Sequence, residues 1–120
     1  MLYEIAGIFP NEHEIATRAE FLMRWLEIMR LSAANRDWAL YRLEVAELSR
    51  GFGIDLGPFE PFPDCSLEAL PKVGHKANTI RVALASEAEE DLDAIEDALR
   101  AVGAESVEIE EQIDPKELTS

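Results

Sequence analysis

Residues 12–50 contain neither glycine nor proline, and this uninterrupted stretch constrains the fold more than any other feature of the sequence. Apolar side chains recur in it at three- and four-residue spacing, which predicts helical structure. One helix of this length would extend about 58 Å at 1.5 Å per residue, longer than a domain of this size is wide. The apolar pattern loses its phase near residues 32–35. The sequence therefore predicts two helices, 12–31 and 35–50, that form a hairpin.

Polar residues near the start of each predicted helix supply its expected caps. Asn11 precedes Glu14 by three residues, the spacing of a capping box, and Asn35 can cap the second helix. Salt bridges between residues four apart are expected on the outer surface of the first helix, where each stabilises it by about 0.2–0.5 kcal/mol. These pairs are Glu14 with Arg18 and Glu20 with Arg24.

Large aromatic side chains lie on the apolar side of the predicted hairpin. Trp25, Trp38 and Tyr41 occur at helical spacing beside aliphatic residues, a pattern typical of a hydrophobic core. The same residues could form a platform for stacking nucleic-acid bases, but large aromatic side chains at helical spacing beside leucines are more often buried. We therefore expect the three aromatic residues to be part of the core.

The C-terminal third predicts a strand, a helix and a second strand. Apolar and polar residues alternate in 79–84, residues 87–102 carry a narrow apolar stripe, and Val107 and Ile109 alternate with glutamates. Ser86 and Glu89 have capping-box spacing, and a glycine follows the predicted helix at position 103. Residues 78–113 therefore predict a βαβ unit with parallel strands and a right-handed connection. The apolar stripe consists of Ala88, Leu92, Ile95, Leu99 and Val102.

An additional strand is predicted at residues 2–9, which are apolar except for Glu4 and end at Pro10. The predicted fold class is α+β, with an N-terminal strand and αα-hairpin, then the C-terminal βαβ unit, and helices on one face of a small sheet. This order resembles a ferredoxin-like plan, as a variant with a hairpin in place of the first helix. Residues 51–77 hold four of the six glycines and four of the six prolines, which predicts an irregular loop. The whole chain, 1–120, is expected to form one domain with a tail at 114–120.

The charge balance excludes several classes of partner. Eleven lysines and arginines against 25 acidic residues give a formal net charge of −14. Nucleic acids and phospholipid surfaces are anionic and need clustered basic residues, so we expect neither as a direct partner.

No apolar run approaches the roughly 18 residues of a membrane span, and the first nine residues lack the basic start of a secretory signal. With Cys65 as the only cysteine, a cytoplasmic location is expected.

The acidic residues are concentrated in one part of the chain. Residues 78–120 hold thirteen acidic and three basic side chains. Along the predicted helix there is about one carboxylate per 2 Å of axis, close to the charge density of B-DNA at about one per 1.7 Å. Solubility alone can explain such a surface. The sharper hypothesis is a non-enzymatic protein-binding module, an inhibitor that mimics nucleic acid and docks on a basic protein surface. Its expected contact residues are Glu89, Glu90, Asp93, Glu96, Asp97, Glu108 and Glu110.

An alternative function is small-molecule sensing. The glycine- and proline-rich loop 51–77 carries Phe52, Phe59 and Phe62, which could close over a ligand, and the chain could form a homodimer through a sheet edge. No metal or cofactor is expected, because the spacing of His13, His75 and Cys65 matches no zinc site. No enzymatic activity is expected either, since no carboxylate lies at a spacing from a histidine, lysine or cysteine that would indicate a catalytic pair.

Overall fold

The computed structural model describes residues 2–54, 71–85 and 89–112. Along the chain it contains β1 (Leu2–Ile8), α1 (Ile15–Asn35), α2 (Trp38–Phe52), β2 (Lys72–Lys76), β3 (Thr79–Ala85), α3 (Glu89–Ala101) and β4 (Ser106–Gln112). The four strands form one antiparallel sheet in the order β2-β3-β1-β4. The predicted α+β class is confirmed.

The two strands of the predicted βαβ unit are not neighbours in this sheet. Both β3 and β4 pair with β1 in antiparallel fashion, so they run parallel to each other with β1 between them. A distant segment of the chain thus completes the unit. The sequence pattern of residues 78–113 contains nothing about β1, which is why it predicts the strand directions but not the inserted strand.

Alternation along the strands gives the sheet two different faces. Ile5 lies opposite Val82 and opposite Ile109, and Val73 also lies opposite Val82, so these residues share the face that the helices cover. The intervening residues lie on the other face, which we call the open face. Its charged residues are Lys72, Lys76, Arg81, Glu4, Glu108 and Glu110.

The helical hairpin contributes the largest side chains of the core, as predicted. Trp25 and Tyr41 are buried, and the indole Nε1 of Trp25 donates a hydrogen bond of 2.9 Å to the Tyr41 hydroxyl. The Trp38 ring meets Tyr41 edge-on, with ring centres 6.2 Å apart. The hydrogen bond between Trp25 of α1 and Tyr41 of α2 joins the two helices and gives the polar groups of the buried rings a partner.

The first helix starts later than its sequence predicts. It begins at Ile15 instead of residue 12, because Glu14 takes a left-handed backbone conformation with φ of 56°. The Asn11 side chain accepts a hydrogen bond of 2.9 Å from the main-chain N–H of His13, two residues along the chain. The capping box expected from Asn11 and Glu14 is therefore wrong, because both residues precede the first residue of the helix.

The bend of the hairpin also lies further along the chain than predicted. Asn35 is the last residue of α1, and its side-chain amide donates to the Leu31 carbonyl at 2.9 Å. Arg36 then takes φ of 51°, and Asp37 caps α2 by accepting a hydrogen bond of 3.0 Å from the Leu40 N–H. The cap expected at Asn35 is wrong, because a carboxylate two residues later performs this role.

The prediction of an irregular loop over 51–77 is wrong at both ends. Gly51 and Phe52 form the last turn of α2, and β2 pairs with β3 along its full length. The pentapeptide of β2, with Val73 as its one large apolar residue, is too polar to predict a strand by itself. Residues 55–70 lie outside the described residues.

The third helix has the predicted apolar stripe and the predicted C-terminal glycine. Leu92, Ile95, Leu99 and Val102 are buried, whereas Ser86 and Ala88 lie outside the described residues. Gly103 has φ of 112°, its N–H donates to the Arg100 carbonyl, and the next N–H donates to the Leu99 carbonyl, both at 3.0 Å. This is the Schellman arrangement, which needs a residue that tolerates positive φ.

Candidate protein-binding surface

The acidic side chains of α3 lie away from its apolar stripe. Asp93 and Asp97 are exposed one turn apart, so their like charges face solvent together. Glu96 is partly buried and accepts a hydrogen bond of 3.3 Å from Arg100 on the same helix. Glu89 and Glu90 belong to the first turn of α3, and their side chains lie outside the described part of the structure.

The acidic side chains of β4 lie on the strand at one end of the sheet that the described residues form. Strand β4 is last in the strand order, and Glu108, Glu110 and Glu111 are all exposed. Glu108 and Glu110 are on the open face, whereas Glu111 shares the helix-covered face with Ile109. Ile109 is 42% exposed despite its apolar side chain. Its place in the last strand, with acidic residues on both sides, is the sequence signal for this additional surface residue.

The predicted contact residues are therefore not on one plane. The acids of α3 belong to the helical layer, and Glu108 and Glu110 lie on the opposite side of the sheet. The helix that carries the first group packs on β1 and β4, and the second group lies on β4 itself. We call the exposed acids of α3 and β4 together the acidic rim, which consists of Asp93, Asp97, Glu108, Glu110 and Glu111.

The opposite edge of the sheet carries the opposite charge. Lys72 and Lys76 are exposed on the open face of β2, and Arg81 follows on β3. An Arg81 Nη1 lies 2.7 Å from an oxygen of Glu4 on β1, which is the point where the basic half of the open face meets the acidic half. The sequence did not predict this polarity, because it did not predict β2.

An arginine of the hairpin stabilises the far end of α3. The Arg18 guanidinium donates to the Val102 carbonyl and lies over the Phe9 ring, 5.5 Å from its centre. A cation near the C-terminus of a helix interacts favourably with the helix dipole. Arg18 therefore has a different partner from the predicted Glu14, whereas the predicted pair of Glu20 with Arg24 is confirmed at 3.0 Å.

Phe52, a residue of the alternative ligand site, belongs to a helix and not to a loop. Its ring packs edge-on against Phe21 at 5.7 Å between ring centres, with the Arg24 guanidinium 5.8 Å from its centre. It also lines an open groove of about 540 Å³ between α1 and α2. Phe59 and Phe62 lie outside the described residues, so the expected closure over a ligand stays a prediction.

Residue types that could support other chemistry are dispersed. Among residues 2–54, 71–85 and 89–112, no three histidine, cysteine, aspartate or glutamate side chains are grouped to hold a metal ion. No helix in these ranges has the length and apolar character to cross a membrane. Comparisons with protein-family models, curated proteins and solved structures find no match for this chain. The candidate function therefore depends on the site's own geometry.

Proposed function

We propose that this protein is a non-enzymatic module that binds another protein through the acidic rim. The observation that carries the proposal is the exposure of Asp93 and Asp97 on α3 and of Glu108, Glu110 and Glu111 on β4, the last strand of the described sheet. The like charges of Asp93 and Asp97 slightly destabilise α3, so the rim has no origin in the stability of the fold. A basic partner would remove this repulsion on binding.

The free edge suggests how such a partner docks. On its outer side β4 has no strand neighbour among the described residues, so its main-chain N–H and C=O groups can pair with an added strand. Lysine or arginine side chains of that strand would meet Glu108 and Glu110, and an apolar side chain would cover Ile109. A basic groove that normally holds nucleic acid is a more specific form of this partner, which would make the protein an inhibitor by mimicry.

The fold and location in this proposal are more specific than the general α+β class. A ferredoxin-like variant is supported by the strand order β2-β3-β1-β4 and by the split unit of β3, α3 and β4. A cytoplasmic location is supported by the single cysteine, since such a chain needs no oxidising compartment.

A defined basic peptide tests the function. The probe is a twelve-residue peptide of alternating lysine and valine, titrated into the isotopically labelled protein at 50 and 300 mM salt. We expect the amide signals of β4 to shift and the affinity to fall at the higher salt. The double variants D93K/D97K and E108K/E110K should each weaken binding about tenfold or more.

The matched control is E12K/E27K, which changes the net charge by the same amount at exposed positions of the N-terminal half. It should bind the peptide nearly as the natural protein does. Equal losses in the control and the rim variants would show that only overall charge matters, and the proposal would then be wrong.

A second candidate is small-molecule binding in the groove between α1 and α2. The favouring observation is its volume of about 540 Å³, within the range of about 300–1,000 Å³ that is usual for ligand sites. Apolar side chains of Ile28, Leu48 and Phe52 line it together with Arg24 and Glu27. A fragment library screened by ligand-observed NMR should yield binders that Phe52→Ala removes and D93K/D97K leaves unchanged.

A further inference from the structure

The open face of the sheet is electrically neutral on a strongly acidic protein. Its described charged residues are three basic and three acidic, although the chain has a net charge of −14. The basic ones, Lys72, Lys76 and Arg81, belong to β2 and β3. The acidic ones belong to β1 and β4. The face thus has a basic half on β2 and β3 and an acidic half on β1 and β4, and the boundary between the halves runs parallel to the strands.

The register defines how these charges align across the sheet. One row contains Lys72, Ala83, Glu4 and Glu110, and the next contains Gly74, Arg81, Ala6 and Glu108. Both of these rows begin on β2 and end with a glutamate on β4, whereas the third row, Lys76, Thr79, Ile8 and Ser106, ends with a serine.

We propose that two copies of this chain dock open face on open face, with a two-fold axis parallel to the strands. Rotation about this axis reverses the order of the strands across the sheet. It leaves each row of residues at the same position along the strand direction. It therefore sets β2 of each copy over β4 of the other, with Lys72 near Glu110 of the second copy. The two lysines of β2 then lie over the strand that carries Glu108 and Glu110, in a closed, isologous interface.

The charge pattern disfavours the other symmetric arrangements. An axis across the strands would set β2 over β2, and pairing at identical edges would bring Lys72 and Lys76 against the same lysines, or Glu108 and Glu110 against the same glutamates. Pairing β2 of one copy with β4 of the next would match charges but would continue into an open chain. Face-to-face docking about the strand axis satisfies both conditions.

The expected dimer is weak and reversible. Four strands at about 4.8 Å spacing and seven residues at about 3.4 Å rise give a footprint of about 450 Å² per copy. A standard interface buries about 800 Å² per partner. The repulsion between two acidic chains lowers the affinity further.

Sedimentation equilibrium of the purified protein from 10 µM to 1 mM at 150 mM salt tests the proposal. We expect a reversible monomer–dimer equilibrium. K72E/K76E and E108K/E110K should each weaken it about tenfold or more, because like charges then face each other. An equimolar mixture of the two variants should recover dimer, since the heterodimer restores every opposite-charge contact.

The mixture also separates a lost contact from a lost fold, because mixing does not refold a damaged chain. D93K/D97K is the matched control for E108K/E110K, and R36E/R50E is the control for K72E/K76E. Neither control should weaken the dimer as much as its test variant. Three results would overturn the proposal. The natural protein could stay monomeric up to 1 mM, it could form a series of oligomers larger than the dimer, or the mixture could recover no dimer.

This inference is independent of the proposed partner binding. Glu108 and Glu110 contribute to both surfaces, but Asp93 and Asp97 belong only to the acidic rim, and Lys72 and Lys76 belong only to the dimer. K72E/K76E should therefore weaken dimer formation without lowering the affinity for the basic peptide. Failure of one experiment leaves the other interpretable.

Discussion

The helical hairpin and the C-terminal pair of α3 and β4 use amphipathic patterns for different purposes. Residues 1–54 hold six basic and eight acidic side chains, whereas 78–120 hold three and thirteen. The hairpin supplies the buried, hydrogen-bonded pair of Trp25 and Tyr41, and α3 supplies a narrow apolar stripe with exposed carboxylates around it. In the hairpin nearly balanced charges surround an aromatic core, whereas in α3 and β4 an excess of like charges surrounds an aliphatic stripe and slightly opposes folding.

The largest test of this comparison removes the central aromatic ring of the hairpin. Trp25→Ala should lower the free energy of unfolding by about 3–5 kcal/mol, because it leaves a cavity and deprives Tyr41 of its donor. Urea denaturation measures this loss. Leu43→Ala on the outer side of α2, where the side chain is 59% exposed, should change stability by less than about 0.5 kcal/mol. Similar costs at the two positions would contradict the comparison.

A second test addresses the junction between the regions. A Cβ at Gly103 would meet the Arg18 guanidinium, and the backbone there has φ of 112°. Gly103→Ala should therefore cost about 1–3 kcal/mol. Gly51→Ala should have the opposite sign and stabilise by about 0.4–1 kcal/mol, because Gly51 is helical and nothing lies within 4 Å of an added Cβ. Thermal melts of both variants give the comparison, and destabilisation by both would refute it.

A third test uses the buried phenol of the hairpin. Burial raises the pKa of Tyr41, and the hydrogen bond from Trp25 opposes this rise with a smaller effect. The folded state therefore keeps this proton to higher pH than the unfolded chain, so the contribution to stability is full below about pH 10 and is lost as the pH rises further.

Tyr41→Phe should cost about 1–3 kcal/mol at neutral pH, because the Trp25 indole then lacks its acceptor. It should also make the stability less dependent on pH above about 10. Urea midpoints from pH 7 to 11 measure both effects. An unchanged alkaline slope would mean that Tyr41 does not contribute to it.

The smallest expected effect is a gain in the acidic region. Asp97→Lys replaces a like-charge pair with a favourable one, since Asp93 lies four residues before it on exposed helix surface. The variant should be more stable by about 0.5 kcal/mol at low salt, and the gain should shrink in 1 M salt. Loss of stability at low salt would show that Asp97 has a structural role.

Local signals in the sequence predicted the elements with strong periodicity. Spacing within one helix predicted the apolar stripe of Leu92, Ile95 and Leu99 and the aromatic core. A single backbone requirement, a positive φ, predicted the C-terminal Gly103. Helix starts were less accurate, because Asn11 and Asn35 compete with nearby residues for the cap. Strand β2 was missed, because its stability comes from pairing with β3 and from the contact of Val73 with the core.

The sequence by itself determined the helical hairpin, the amphipathic α3 and the concentration of acidic residues after residue 78. Each depends on neighbours within a few positions along the chain. Only the tertiary structure decided that β1 lies between β3 and β4, that β2 forms the basic edge, and that the rim acids divide between the two sides of the sheet. Strand order and register depend on pairing between distant segments, and a shift of one residue would move every side chain to the other face.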